Sequence, residues 1–289
     1  MQLRLLNVAV DGGDMRVLLW GTGKRVAVAV HGITASGMSW QAVARHMPPD
    51  WTLAAPDLRG RGHSRDLPGP FGLDAHARDV VAVLRHFGGR PVLAGHSMGA
   101  YVALLARDAH PELVRRLVLV DGVLPMPVPD GSDLDAVLYA TLSPAFARLG
   151  QSFPSTEAYL DFWRAHPALA AHWTPDVGAY ARYDLTGEPG QLRSRVVEDA
   201  VRADGRDVLA EKPFTEALQR LNRPTPLLTA TTGMFGAPPP LIPSDVVEAW
   251  QERVPALRAQ VVPDVNRYTI MFQREGAAAV SQAIRSAAL

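Results

Sequence analysis

In Pro91-Val92-Leu93-Ala94-Gly95-His96-Ser97-Met98-Gly99-Ala100-Tyr101-Val102-Ala103-Leu104-Leu105-Ala106-Arg107, an apolar run, a serine set among glycines and a second apolar run follow without a break. Pro91 to Ala94 reads as a short buried strand, and Ala100 to Arg107 as a helix with small residues near its start. A serine between two glycines at so sharp a strand-to-helix turn has the form of a nucleophile elbow. The turn forces strained backbone geometry on the serine, and the flanking glycines remove the Cβ atoms that would collide there. The Ser97 hydroxyl then stands clear of the sheet edge, over a helix N-terminus that favours developing negative charge. The plain alternative is a glycine-rich turn with no chemistry, since the bare five-residue pattern arises often by chance. The strand before it and the helix after it favour the elbow.

Upstream of the elbow, residues 3–10 and 15–21 predict a hairpin across Asp11-Gly12-Gly13-Asp14. Arg25 to Val30 is an apolar strand ending in His31-Gly32, a helix is expected over 38–47, and Thr52 to Ala55 is a further strand. The spacing of Ala77, Val80, Val81 and Leu84 predicts a helix from Asp74 to Phe87, capped by Asp74 and stopped by Gly88-Gly89. Downstream, Leu117 to Val120 is a buried strand ending at Asp121. Alternation then breaks, and residues from about 129 to 212 read as helices interrupted by Pro and Gly and rich in aromatics. It resumes with a strand at Pro226 to Ala230, a helix over 244–253, a strand near 258–262 and a last helix over 275–287. The expected class is α/β: a mostly parallel eight-stranded sheet with helices on both faces and a helical cap inserted after strand 6. Residues 1–128 and 213–289 make the core, and 129–212 the cap.

A chain of 289 residues suits one α/β domain with an insertion, and 47% hydrophobic content supplies a substantial core. Lys+Arg and Asp+Glu both number 29, so no basic surplus exists to neutralise a polyanion, and no nucleic-acid partner is expected. All the cations but Lys24 and Lys212 are arginine, which leaves almost no lysine to serve as a base. The absence of cysteine excludes disulfides, thiolate metal sites and a cysteine nucleophile. Met1-Gln2-Leu3-Arg4 does not begin a signal peptide, and no apolar run is long enough to span a bilayer. These features predict a cytoplasmic protein with no membrane partner, a monomer or homodimer, acting on a small molecule without metal or cofactor.

The elbow, His31-Gly32-Ile33-Thr34 and Asp57-Leu58-Arg59-Gly60-Arg61-Gly62-His63-Ser64 together make the chain resemble the α/β-hydrolase family over nearly its whole length. Three motifs in order, at the right strand ends, are far more specific than any one of them. The resemblance implies a serine that attacks an acyl carbonyl. It also implies an oxyanion held by two backbone N–H groups, one after the nucleophile and one from the loop after the third strand. Here those are the amides of Met98 and Ile33, although the Met98 side chain serves equally for packing. His31 supports the oxyanion loop in the resembling proteins, His96 is read as sheet-end packing, and His63 as a structural loop residue.

The resemblance further implies a histidine base in the loop after the last strand, here Pro263-Asp264-Val265-Asn266-Arg267-Tyr268-Thr269-Ile270. The Asn before it and the Tyr-Thr after it put Arg267 in that place. Guanidinium has no acceptor and keeps its charge, so it cannot take a proton from serine. No histidine follows His172. Of the two places the resemblance implies for the acid, the loop after the seventh strand, Thr232-Gly233-Met234-Phe235-Gly236-Ala237, holds no carboxylate, whereas the end of the sixth strand holds Asp121. Asp121 is read as the acid, the alternative being a polar cap on a strand end; an Arg267–Asp121 ion pair is then the simplest arrangement. His166 and His172 are the remaining candidates for a base, against the plainer reading of both as ordinary cap residues.

Phe146, Tyr159 and Trp163, with Phe153, Phe162, Trp173, Tyr180 and Tyr183, are candidates to line an apolar pocket over Ser97. For each, the alternative is the packing of the cap itself. The expected function is a serine-hydrolase-type enzyme acting on a small hydrophobic ester, lactone or related acyl compound, impaired as a hydrolase by Arg267. The alternatives are a non-hydrolytic homologue that binds a ligand or acts as a cyclase or lyase, and a hydrolase deliberately disarmed by a His-to-Arg substitution.

Overall fold

The computed structural model describes residues 2–126, 128, 131–210 and 212–287. β1 (Leu3–Val10) and β2 (Gly13–Trp20) pair antiparallel, with Leu3 opposite Trp20 and Val10 opposite Gly13. β3 (Arg25–Val30), α1 (Gln41–Arg45), β4 (Trp51–Pro56), α2 (Leu73–Phe87), β5 (Val92–His96), α3 (Met98–Ala109) and β6 (Arg116–Val120) follow in alternation. Then come α4 (Leu134–Leu149), α5 (Thr156–Arg164), α6 (Pro175–Tyr183), a ribbon of β7 (Leu185–Thr186) and β8 (Arg193–Ser194), α7 (Glu198–Leu209) and α8 (Lys212–Gln219). β9 (Thr225–Thr232), α9 (Ser244–Arg253), β10 (Leu257–Asn266), α10 (Thr269–Phe272) and α11 (Arg274–Ser286) complete the chain.

The main sheet has eight strands in the order β1-β2-β4-β3-β5-β6-β9-β10. β2 runs antiparallel to both its neighbours, and every other pairing is parallel. Strands covered by helices on both faces must be apolar throughout, and β4 and β5 are buried along their whole lengths. Successive side chains alternate between faces. Along β3, Val28 and Val30 therefore join Val80, Leu84 and Val102 of α2 and α3, while Ala27 and Ala29 join Val43, Val280 and Ile284 of α1 and α11.

Several element boundaries differ from expectation. The helix expected over 38–47 opens as a 3-10 turn at Gly37–Trp40 and is α-helical only from Gln41 to Arg45. The strand expected near 258–262 runs from Leu257 to Asn266. Asp74 does not cap α2: the residue before the helix is Gly72, and the N–H groups of Gly72 and Leu73 donate to Asp204 and Asp207 of α7 at 2.7 and 2.9 Å. The segment read as helices alone also contains the β7–β8 ribbon. The expected boundary at residue 129 lies outside the described residues. α8 packs on α3, with the Phe214 ring edge-on to Tyr101 at 4.7 Å. Among the described residues, no helix is long and apolar enough to cross a membrane.

Candidate active site

Ser97 sits between β5 and α3 with φ 58° and ψ −127°, in the left-handed region that side chains rarely occupy. Its N–H donates to the Val120 carbonyl at 2.9 Å, and its carbonyl accepts from Ala100 N–H at 2.9 Å. The strain is tolerated because the chain around it lacks side chains: a Cβ on Gly95 would collide with the Gly99 carbonyl, and one on Gly99 with the Val30 carbonyl. The hydroxyl therefore stands at the C-terminal edge of the parallel strands, beside the first turn of α3. The Met98 amide opens that turn, where N–H groups have no acceptor within the helix.

The loop after β3 approaches from the other side, and a Cβ on Gly32 would lie 3.1 Å from Ser97 Oγ. His31 fixes this loop: its Nε2 accepts from Leu58 N–H at 3.0 Å, so Nδ1 carries the proton and donates to the Gly32 carbonyl at 2.8 Å. Ala35 N–H bonds the same carbonyl at 3.1 Å. Because a trans peptide points its C=O and N–H in opposite directions, holding the Gly32 carbonyl on that side turns the Ile33 N–H to the other. Burial lowers His31 to a pKa of about 3, so the ring stays neutral and acts as a strut.

Arg267 follows the last residue of β10. Asn266 sets its position by accepting from Tyr268 N–H and Thr269 N–H, both at 2.9 Å, which starts α10, and by donating to the Ala168 carbonyl at 2.8 Å. One guanidinium nitrogen, Nη1, donates to Asp121 Oδ2 at 3.0 Å and to the Asp121 carbonyl at 2.6 Å; Nη2 donates to Ser97 Oγ. Asp121 itself has φ 44° and accepts from Ala230 N–H at 3.1 Å. Arg267 thus bridges Asp121 and Ser97, with the serine oxygen as acceptor and a guanidinium that cannot receive its proton.

The histidines do not supply one. Among the described residues only His96 lines the cavity with Ser97. It donates through Nε2 to the Arg267 carbonyl at 3.0 Å, and burial together with the Arg267 charge lowers it to about 3. His166 stacks on Trp163 and accepts from Ala168 N–H at 3.2 Å, while His172 meets Gln273 at 2.5 Å; neither lines the cavity. His63 lies against Tyr183, ring centroids 5.0 Å apart.

A largely apolar cavity lies over Ser97. Its walls come from the loop after β3 (Gly32 to Ala35), the kinked α4 (Leu138 and Leu142), α7 and the segment Tyr268 to Phe272. The sequence-based choice of wall residues needs correction here. Phe146, Tyr159 and Trp163 do not line it: Phe146 stacks on Tyr139, and Tyr159 and Trp163 are buried inside the insertion. Of the eight aromatics considered, Tyr180 alone reaches the cavity. Tyr183 instead donates to Asp57 at 2.7 Å, and the other six pack among the short helices between β6 and β9, which need large side chains to hold together.

Two buried arginines escaped the sequence reading as site residues. Arg61 donates to the Ile33 carbonyl through Nε at 3.0 Å and Nη2 at 2.9 Å, and is paired with Asp204 of α7. Arg148 of α4 donates to the Thr34 carbonyl at 3.1 Å and is paired with Asp184, which also accepts from Tyr159 and Ser194. Burial by itself raises the pKa of Asp204, but the charges of Arg61 and His76 outweigh it and hold the carboxyl at about 2. The successive Ile33 and Thr34 carbonyls are therefore clamped by ion pairs that the segment between β6 and β9 completes. The only sequence signal was the presence of Arg61 in the glycine-rich loop motif.

The fold and this site define a class. The chain belongs to the α/β-hydrolase family, whose sequence model matches residues 28–272. It is 36% identical over 132 residues to lipase LipV of Mycobacterium tuberculosis, covering 45% of this chain and 49% of that protein. It is 35% identical over 117 residues to N-formylmaleamate deformylase of Pseudomonas putida, covering 40% and 44%. The chain thus spans less than half the length of each of these relatives. Among solved structures, E-2-(acetamidomethylene)succinate hydrolase superposes with a TM-score of 0.80 over 98% of this chain and 100% of that one, at 20% identity.

Proposed function

We propose that this protein is a serine-hydrolase-type member of its family. In this reading it binds a small, largely apolar ester, lactone or related acyl compound over Ser97 and turns it over weakly. One observation carries the reading: Arg267 donates to Ser97 Oγ and to Asp121 at the place where a base would have to stand. The elbow, the Ile33 and Met98 amides and the apolar cavity support binding and oxyanion stabilisation. The segment between β6 and β9 serves as the lid. The lipase and deformylase relatives support acyl chemistry. What is lacking is proton transfer, and general base catalysis contributes about 10²–10⁴-fold.

Turnover of an activated aryl ester by the protein, by Arg267→His and by Ser97→Ala tests this. Arg267→His is expected to gain about 10²-fold or more, and Ser97→Ala to lose what activity there is. No gain with histidine, or a fast protein unaffected by Ser97→Ala, overturns the reading. The Arg267 bridge favours one alternative, a site that binds its ligand without forming an acyl-serine. That alternative predicts a Ser97 silent to a fluorophosphonate probe in both the protein and Arg267→His.

A further inference from the structure

Equal totals of acid and base conceal an uneven distribution. Cations gather at the N-terminal ends of the parallel strands, the sheet edge opposite Ser97. Arg90 precedes β5, Arg115 and Arg116 lead into β6, and Arg223 precedes β9. β5 pairs with β6 and β6 with β9, so these four residues meet around one surface depression, completed by Gly89. Among the described residues none of the four has an ion-pair partner. Arg90 makes one long contact, Nη2 to the Val114 carbonyl at 3.4 Å. Neighbouring depressions add Lys24, Arg25, Arg107 and Arg258, and neither these nor the central one has an Asp or Glu in its lining. Among the described residues, Arg25 alone of this outer group is ion-paired, with Asp50 at 3.6 Å.

Four unpaired guanidinium groups around a concavity repel one another, and a multivalent anion relieves that repulsion. Guanidinium offers a planar fork matched to the paired oxygens of phosphate. A single carboxylate brings one charge to four cations, whereas a diphosphate brings several on a compact group. The concave shape and the predominance of arginine favour an enclosed group over a flat surface or a long polymer. We propose that this depression is a binding site for a diphosphate-bearing ligand, separate from the cavity over Ser97 and independent of its chemistry. Net charge, from which no polyanion partner was expected, averages over the surface and does not register such segregation.

The test is titration of inorganic pyrophosphate into the full chain at constant ionic strength, read by calorimetry and by the thermal midpoint. Saturable binding is expected, weakened at least about tenfold in Arg115→Gln/Arg223→Gln, since two charge-assisted contacts are lost. Arg258→Gln, on the same edge outside the depression, should bind as the parent does. Arg115 and Arg223 are exposed, so circular dichroism is expected to show the double variant folded; Arg115→Gln alone serves if it is not. A response no greater than that to sodium chloride of equal ionic strength, or one unchanged in the variant, overturns the proposal. Vesicles containing phosphatidylserine and a short single-stranded oligonucleotide form the other arms. Binding of either that pyrophosphate fails to displace assigns the face to lipid or nucleic acid instead, and also overturns it.

Discussion

Arg267 donates to both Asp121 and Ser97 and so ties the ends of β10, β6 and β5 together. Asp121 is 1% exposed, and among the described residues its charge is met by the Ala230 amide and the guanidinium alone. Removing one partner of such a pair leaves a buried charge uncompensated, which costs about 3 kcal/mol or more. Arg267→Met is therefore expected to lower stability by about 3 kcal/mol in urea unfolding. A variant as stable as the parent would show that the pair contributes nothing. At this scale the sequence was partly legible. The search for a base ends at His172, and the order of the motifs points to Asp121 and Arg267 as neighbours. What it could not reveal is that Nη2 turns to Ser97, because that orientation depends on Asn266 starting α10 and on His96 taking the Arg267 carbonyl.

Among the elements, the apolar runs that make β3, β5 and β6 were readable because both faces of each strand are buried. The start of α2 was not, because its cap lies 132 residues away on α7. The two capping carboxylates differ in what else they do. Among the described residues the Asp207 carboxylate bonds the Leu73 amide alone, so Asp207→Ala should cost about 1 kcal/mol, the ordinary loss of a helix cap. Asp204 bonds the Gly72 amide, His76 and Arg61, and Arg61 holds the Ile33 carbonyl. Asp204→Ala leaves the Arg61 guanidinium, wholly buried, without its counter-charge, and should cost about 3–5 kcal/mol. Equal losses in thermal melts of the two variants would refute a special role for Asp204. The aromatics of the insertion went astray for a related reason: helical spacing says that a face is buried, but not whether protein or ligand covers it.

For the whole molecule, the buried titratable groups set the response to acid. Burial lowers His31 to about 3; burial and the Arg267 charge lower His96 to about 3; burial and the Arg148 charge lower His166 to about 4. Unfolded, each titrates at 6.5, so between pH 6.5 and about 4 the unfolded chain takes up three protons that the folded chain refuses. Stability due to these groups is complete above pH 6.5 and drains away as the pH falls. Asp57 acts in the opposite sense. Burial pushes it up to about 6, against bonds from Tyr183, His63 and Gly37, so the folded chain takes up this proton before the unfolded one does at 3.8. Near pH 5 the balance is about two protons in favour of unfolding, a slope on the order of 2–3 kcal/mol per pH unit. These groups predict little change in stability between pH 7 and 8 and a steep fall from pH 6 to 4.5 in urea titrations. His166→Asn keeps an acceptor for the Ala168 amide and removes about one of the two protons, so the slope near pH 5 should drop by about half. A stability that holds level or rises toward pH 4.5 would mean that the histidines are not buried neutral, and with them would go the assignment of His31 as the strut behind the Ile33 amide.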